Sequence, residues 1–313
     1  MEYGFIPNSA TVSNLSALSD KNFTNYRRRV CELYELAEDA ADFTLSLIKE
    51  DFGIYEALSL IADACFTLDA KPDAKDPIFS SLCLFSFSCL DKAEFSLLYT
   101  EALRKRGVSL SESQLLDCQN ENDETFVYVK NAFADEAYDV FSQEFTDPRV
   151  RYAPNFREAL RLVSSGEVTY CLLPFEEQGM RLASVSEFML VGDYKISAVT
   201  PVFGADGSAD IKYALVSKKL RSQELRKDDD RYFEIRISAT GASALSDISS
   251  AATVCGAEVY KVNTLTLTND GEKKKYFSMV FSGEGVDFTP LIVFLTMFVP
   301  DYVAVGAYKN IEN

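Results

Sequence analysis

"NFREALRLVSSGEVTYCLLPFEEQG", residues 155–179, places a helix and a strand back to back. Asn155 is a helix-capping residue type and Gly166 a helix-closing one, so the segment between them reads as a short helix. "TYCLLPF" follows as an unbroken apolar run of strand length, and a strand apolar on both faces belongs in a sheet covered by helices. Upstream, "FVYVK", "AFADEAYDVFSQEF" and "VRYAP" read as strand, helix and strand. Downstream, "LASVSEFMLVGD", "YKISAVTPVF" and "IKYALVSKK" add a helix and two strands, closing one lobe near Lys219. Strands alternating with helices at this spacing predict a parallel, helix-covered sheet of α/β class.

Two polar, charged stretches bracket this lobe. "DCQNENDET" (117–125) and "RSQELRKDDDR" (221–231) read as linkers and divide the chain into segments 1–120, 121–225 and 226–313. In the first segment, Val30, Leu33, Ala37, Ala40, Thr44, Leu47 and Ile48 recur at helical spacing. "DFGIYEALSLIADACFTL", "IFSSLCLFSFSC" and "DKAEFSLLYTEALRKRG" continue a helical domain. The last segment reads β-α-β-β-α-β, with Asn269-Asp270-Gly271 as the turn between its two middle strands. Six elements in that order match a ferredoxin-like split βαβ arrangement.

Composition removes several function classes. The chain carries 48 Asp plus Glu against 31 Lys plus Arg, a net charge of -17, which argues against a phosphate backbone as partner. There is no histidine, so Ser-His-Asp and Cys-His nucleophiles, His general bases and H-E-x-x-H zinc helices are excluded. Seven scattered cysteines with no C-x-x-C pair fit reduced thiols in a cytoplasmic protein, with neither a disulfide framework nor a metal site, and Cys171 reads as a small buried residue. No secretory signal is legible, and "PLIVFLTMFVP" (290–300) is too short to span a membrane and reads as a buried helix. No cofactor is expected.

The lobe and the split βαβ segment together resemble prephenate dehydratase with its C-terminal ACT domain. That family carries F-x-x-x-x-x-x-V-x-x-G, an apolar strand and Pro-Ile-Glu-Asn-Ser; here Phe156, Val163 and Gly166 fit the first part and Pro174-Phe175-Glu176-Glu177-Gln178 stands at the second. "AFADEA" (132–137), with Phe133, resembles the family's Thr-Phe-Ser helix start, and "ADIKYALV" (209–216) stands where the family has Asn-x-Thr-Arg-Phe. The likeness covers residues 125–313 and implies a single three-layer α/β lobe of the type II periplasmic-binding-protein kind followed by a ferredoxin-like ACT domain. It places the catalytic positions at Phe133, Glu176, Glu177, Gln178, Ile211 and Lys212. It places ligand-binding positions at Gly179, at Gly241 and Ala242 (the family's Gly-Ala-Leu loop), and at Asn263 and Thr264 (its Glu-Ser-Arg-Pro segment).

The departures from that pattern bear on activity. Glu177, Gln178, Ile211 and Lys212 replace the family's Asn, Ser, Thr and Arg, so a hydroxyl that lines the family's site has become hydrocarbon at Ile211. Prephenate is a dicarboxylate, and a carboxylate about 4 Å away would oppose it by roughly 4 kcal/mol at an effective dielectric near 20. Only about thirty residues separate Gly179 from Asp210, where the family places most of a second lobe, so the N-terminal helices are a candidate for the missing cleft wall. Neighbours on an extended strand point to opposite faces, so Glu176 and Glu177 read as a solvated strand end ahead of a catalytic dyad. A weaker alternative has them receive the ammonium of an amino acid, with Lys212 taking its carboxylate.

The expectation is therefore a degenerate, ligand-binding or regulatory relative in phenylalanine metabolism, taking a small molecule such as an amino acid or prephenate and forming a homodimer through the ACT sheet. An active dehydratase yielding phenylpyruvate, and a protein-interaction module acting through the helical segment, stand as alternatives.

Overall fold

The computed structural model describes residues 20–66, 88–118, 124–204, 207, 210–221, 230–239, 244–269, 272–299 and 301–311. The helix expected over "IFSSLCLFSFSC" lies outside the described residues except for its last two, Ser88 and Cys89, and positions Gly241 and Ala242 lie outside them too. Strands β1 (Thr125–Tyr128), β2 (Arg149–Tyr152) and β3 (Tyr170–Glu177) form the first part of the sheet. β1 pairs with both of the others in parallel, as expected of strands joined by the helices α5 (Ala132–Ser142) and α6 (Phe156–Ser164). Asn131 and Asn155 cap those helices, each accepting from the backbone N–H three residues on, at 3.0 and 2.9 Å. The parallel expectation fails at β6 (Ile211–Ser217), which runs antiparallel to both β3 and β5 (Lys195–Val202) and lies between them. Only eight residues connect β5 to β6 and no helix lies among the described ones, so the chain returns alongside β5, which an antiparallel pair permits and a parallel pair does not.

The C-terminal elements are β7 (Asp230–Ser238), α8 (Ala244–Val254), β8 (Glu258–Asn269), β9 (Glu272–Glu284), α9 (Thr289–Phe298) and β10 (Val303–Lys309), in the order read from the sequence. Their strands lie side by side as β10-β7-β9-β8, all antiparallel. Nothing in the sequence anticipates that β10 also pairs with β5, in parallel, so that one ten-stranded mixed sheet runs from β2 to β8. The seam is narrow. Gly306 lies opposite Ile196, the Ile311 N–H donates to the Val199 carbonyl (2.8 Å), and the Thr200 hydroxyl donates to the Ile311 carbonyl (2.7 Å). A Cβ on Gly306 would sit 2.7 Å from the Ile196 carbonyl oxygen, which is why this position carries none.

Helix α5 covers one face of the first half of the sheet, and α6 with α7 (Ala183–Gly192) covers the other. In the second half, Phe233, Ile235 and Ile237 of β7 face α8 and α9, while Tyr232 and Glu234 point to the opposite side, as period-two alternation requires. α7 reaches across to β8 on that opposite side. Helices α1 (Asp20–Lys49), α2 (Ile54–Phe66) and α3 (Cys89–Lys105), followed by the single turn α4 (Glu112–Leu115), share one core with α8 and α9. They lie on the far side of β7 from Glu234, so they do not supply a wall beside β3. Two arginines, Arg29 and Arg106, tie α1 to the α3 end of this helical group. Arg29 pairs with Asp91 at 2.7 Å, and Arg106 pairs with Glu38 at 2.7 Å and Asp42 at 2.6 Å. The apolar run that starts at Pro290 forms α9 as far as Phe298, buried along nearly its whole length. Among the described residues no helix is long and apolar enough to cross a membrane.

Candidate functional site

The strand end "PFEEQG" leaves its register at Pro174, where a bulge against β6 inserts one extra residue. The bulge turns two consecutive side chains, Phe175 and Glu176, into the interior, while Glu177 points to solvent. Opposite faces for the two glutamates follow the alternation expected of a strand, so they form no dyad. Solvation, however, holds for Glu177 and not for Glu176, which is 7% exposed. Gln178 and Gly179 both have positive φ, 50° and 72°, and close a two-residue hairpin from β3 into β4 (Met180–Arg181). Two left-handed residues in a two-residue loop are the geometry of a type I′ turn, for which Gly179 is well suited. The turn returns Arg181 directly beside Glu176.

Arg181 is the centre of a buried charge network. Its Nη1 and Nη2 donate to the two carboxylate oxygens of Glu234 at 2.6 and 3.0 Å, a bidentate fork. Its Nε lies 3.8 Å from Glu176 Oε1, and its guanidinium carbon stands 3.9 Å from the centre of the Phe175 ring. Lys261, from β8, donates to Glu176 Oε1 at 2.9 Å and to the Gly179 carbonyl at 2.5 Å. Glu234, only 1% exposed, also accepts from the Ser278 hydroxyl (2.7 Å) and the Tyr308 hydroxyl (3.2 Å). Burial works against the Arg181 charge, but the Glu234 carboxylate outweighs it and holds the guanidinium above its ordinary range. Burial, then the same carboxylate, push the Tyr308 phenol well above its usual value, so it remains a donor. Two cations face two anions, which is the condition under which buried charges are tolerated.

This network joins the two halves of the molecule. Glu176, Gly179 and Arg181 come from the first half of the sheet, while Glu234, Lys261, Ser278 and Tyr308 come from the second. The cavity beside it measures about 20 Å³, room for one water and far too small for a metabolite. Sequence reasoning missed Arg181, Glu234 and Lys261. Alternation in "YFEIRIS" puts Glu234 on the face opposite the core, and no local signal says that a second layer covers that face.

The other family-equivalent positions gather on one edge. Glu177 pairs with Ile211 and Glu176 with Lys212 across β3 and β6, and the Gln178 N–H donates to the Asp210 carbonyl at 2.8 Å. Phe133, at the start of α5, packs beside Gly204, and the neighbouring Glu136 carboxylate accepts from the Phe203 and Gly204 N–H groups at 2.9 and 3.1 Å. The edge thus offers hydrocarbon at Phe133 and Ile211 and an exposed carboxylate at Glu177, whereas the half-buried Lys212, opposite Glu176, lines the small cavity beside the network. It offers no hydroxyl at position 211. Asn263 and Thr264 are not brought together: on β8 they oppose Ser278 and Phe277 respectively, so they lie on opposite faces of the strand. Cys171 is fully buried, and burial pushes its thiol far above the ordinary range, so it is no nucleophile. Among the described residues no group of three or more Cys, Asp or Glu is placed to hold a metal ion.

No family model matches this chain, and no curated protein matches it. Among solved structures it is similar to prephenate dehydratase from Streptococcus mutans, with 14% identity, 60% of this chain and 99% of that one covered, and a TM-score of 0.48. It is similar also to GqqA, described as a novel type of quorum quenching acylase, with 12% identity, 60% and 96% covered, and a TM-score of 0.45. A third is prephenate dehydratase in complex with L-Phe from Arthrobacter aurescens, with 12% identity, 59% and 89% covered, and a TM-score of 0.41. Similarity at this level leaves the functional argument to the residues of the chain itself.

Proposed function

We propose that this chain is a non-catalytic relative of prephenate dehydratase, an ACT-containing protein with a ligand-binding or regulatory role in aromatic amino-acid metabolism. The observation that carries the reading is the sequestration of Glu176 by Lys261 and Arg181 at the joint between the two halves of the sheet. A strand end that the dehydratase pattern assigns to substrate is here an internal fastening, and the edge around it lacks the hydroxyl at 211. Incubation of the purified protein with prephenate is expected to give no phenylpyruvate above the uncatalysed background. The double reversion Glu177→Asn with Ile211→Thr is expected to leave it inactive, because Glu176 stays engaged. Robust turnover by the unmodified chain would overturn the proposal in favour of an active dehydratase.

A homodimer through β8 belongs to the same reading. Among the described residues β8 is one of the two outer strands of the sheet, it carries no charged residue from Val262 to Asn269, and Tyr260 (54% exposed) and Val262 (48%) stand open along it. Such an edge is a template for pairing with a second strand. Light scattering is expected to give twice the chain mass for the protein and a single chain mass for Val262→Lys; a wild-type monomer at all concentrations would remove the dimer.

A further inference from the structure

A larger cleft lies on the α8–α9 side of the sheet, away from the Glu176 network. It measures about 350 Å³ and opens where the turn after α3, the end of β6, the start of β7 and the start of α9 meet. That volume falls within the range of small-molecule sites. Three guanidinium groups line it, from Arg104, Arg221 and Arg231, against two carboxylates, Glu112 and Asp287.

Both carboxylates are already engaged. Glu112 accepts from Arg231 Nη2 at 2.5 Å with one oxygen and from the Phe288 N–H at 2.8 Å with the other. Asp287 accepts from the Thr289 N–H at 3.0 Å and from Arg104 at 3.2 Å. Arg231, itself buried, is further held by donating to the Val286 carbonyl at 2.5 Å. Arg221 differs from the other two. Its guanidinium rests over Phe145 at 4.3 Å and Tyr170 at 5.8 Å, and among the described residues no carboxylate pairs with it.

A half-buried arginine that no carboxylate among the described residues pairs with is unexpected in a chain with seventeen more acidic than basic residues, since arginine is rarely buried without a partner. Contact with two aromatic rings holds the guanidinium in place without using its N–H donors, which suit the oxygen pair of a carboxylate or phosphate. Ser109 and Ser113 add hydroxyl donors to the same cleft.

We propose that this cleft binds a small organic anion through its carboxylate or phosphate group, received by Arg221 with Arg231 and the adjacent serines. The site is independent of the dehydratase reading, since it shares no residue with the Glu176 network or the 177–211 edge. Calorimetry with inorganic phosphate and with 3-phosphoglycerate, using glycerol as the uncharged control and sodium chloride as the ionic-strength control, tests it. Saturable one-to-one binding of at least one anion, with a Kd of about millimolar or tighter, is expected. Arg221→Ala should weaken it about tenfold or more, and Arg221→Lys less than that. The anion should also raise the thermal midpoint of the unmodified protein, a readout that needs no variant to fold. Absence of binding beyond the chloride control, or an Arg221→Ala variant that folds and binds as well as the unmodified chain, would overturn the proposal.

Discussion

Replacing Arg181 with methionine is expected to destabilise the folded chain by about 3–5 kcal/mol, because it leaves a buried carboxylate without its counter-charge. The stranded group is Glu234, which loses both arms of the fork and keeps only the Ser278 and Tyr308 hydroxyls. Glu176 retains Lys261 and suffers less. Methionine fills much of the arginine stem's volume over Phe175, so the loss reports charge rather than a cavity. Combining Arg181→Met with Glu234→Gln is expected to recover part of the loss, since no unpaired charge then remains. Urea denaturation of the two variants checks both statements. A single variant within about 1 kcal/mol of the unmodified chain, the size of an ordinary point substitution, would mean that the network does not hold the halves together.

Gly306→Ala carries the second large effect. The added methyl would lie 2.7 Å from the Ile196 carbonyl oxygen, 2.9 Å from the Ile196 Cβ and 2.8 Å from a Tyr308 ring carbon. The tyrosine ring can turn aside, but the Ile196 backbone belongs to β5 and retreats only by parting from β10. Overpacking of this kind costs about 1–3 kcal/mol, and here the strain falls on the strand pair that joins the halves. The Ile311 N–H, which donates across the same seam, is expected to exchange with solvent faster in the variant than in the unmodified protein. Unchanged exchange at Ile311 together with unchanged stability would show that the seam is not close-packed in solution.

The elements set by local chemistry were legible in the sequence. Asn155 and Gly166 bound a helix, "TYCLLPF" is a buried strand, and the period-two run in "YFEIRIS" separates a core face from its opposite. What escaped were features decided by residues far apart in the chain. The burial of Glu176 depends on Lys261, and Arg181 depends on Glu234, partners that no window of neighbouring residues contains. Gln178-Gly179 does carry the residue type for a hairpin turn, but its second strand is two residues long, too short to show alternation. The reversal of β6 and the joining of β5 to β10 are matters of topology, to which residue patterns are blind. The site positions drawn from the dehydratase resemblance at Glu177, Gln178, Ile211 and Phe133 do share one edge, whereas Asn263 and Thr264 do not share a face.

The seam between β5 and β10 also bears on how the chain is made. β5 finishes at Val202 and its partner begins at Val303, so roughly a hundred residues must leave the ribosome before that edge can be covered. Throughout that interval a strand rich in apolar residues presents unpaired N–H and C=O groups to its surroundings. β7 waits in the same way for β10 on its own flank. One late strand closes both openings at once, so the nascent protein is most exposed to wrong pairing just before β10 emerges, and its arrival turns two unfinished sheets into one.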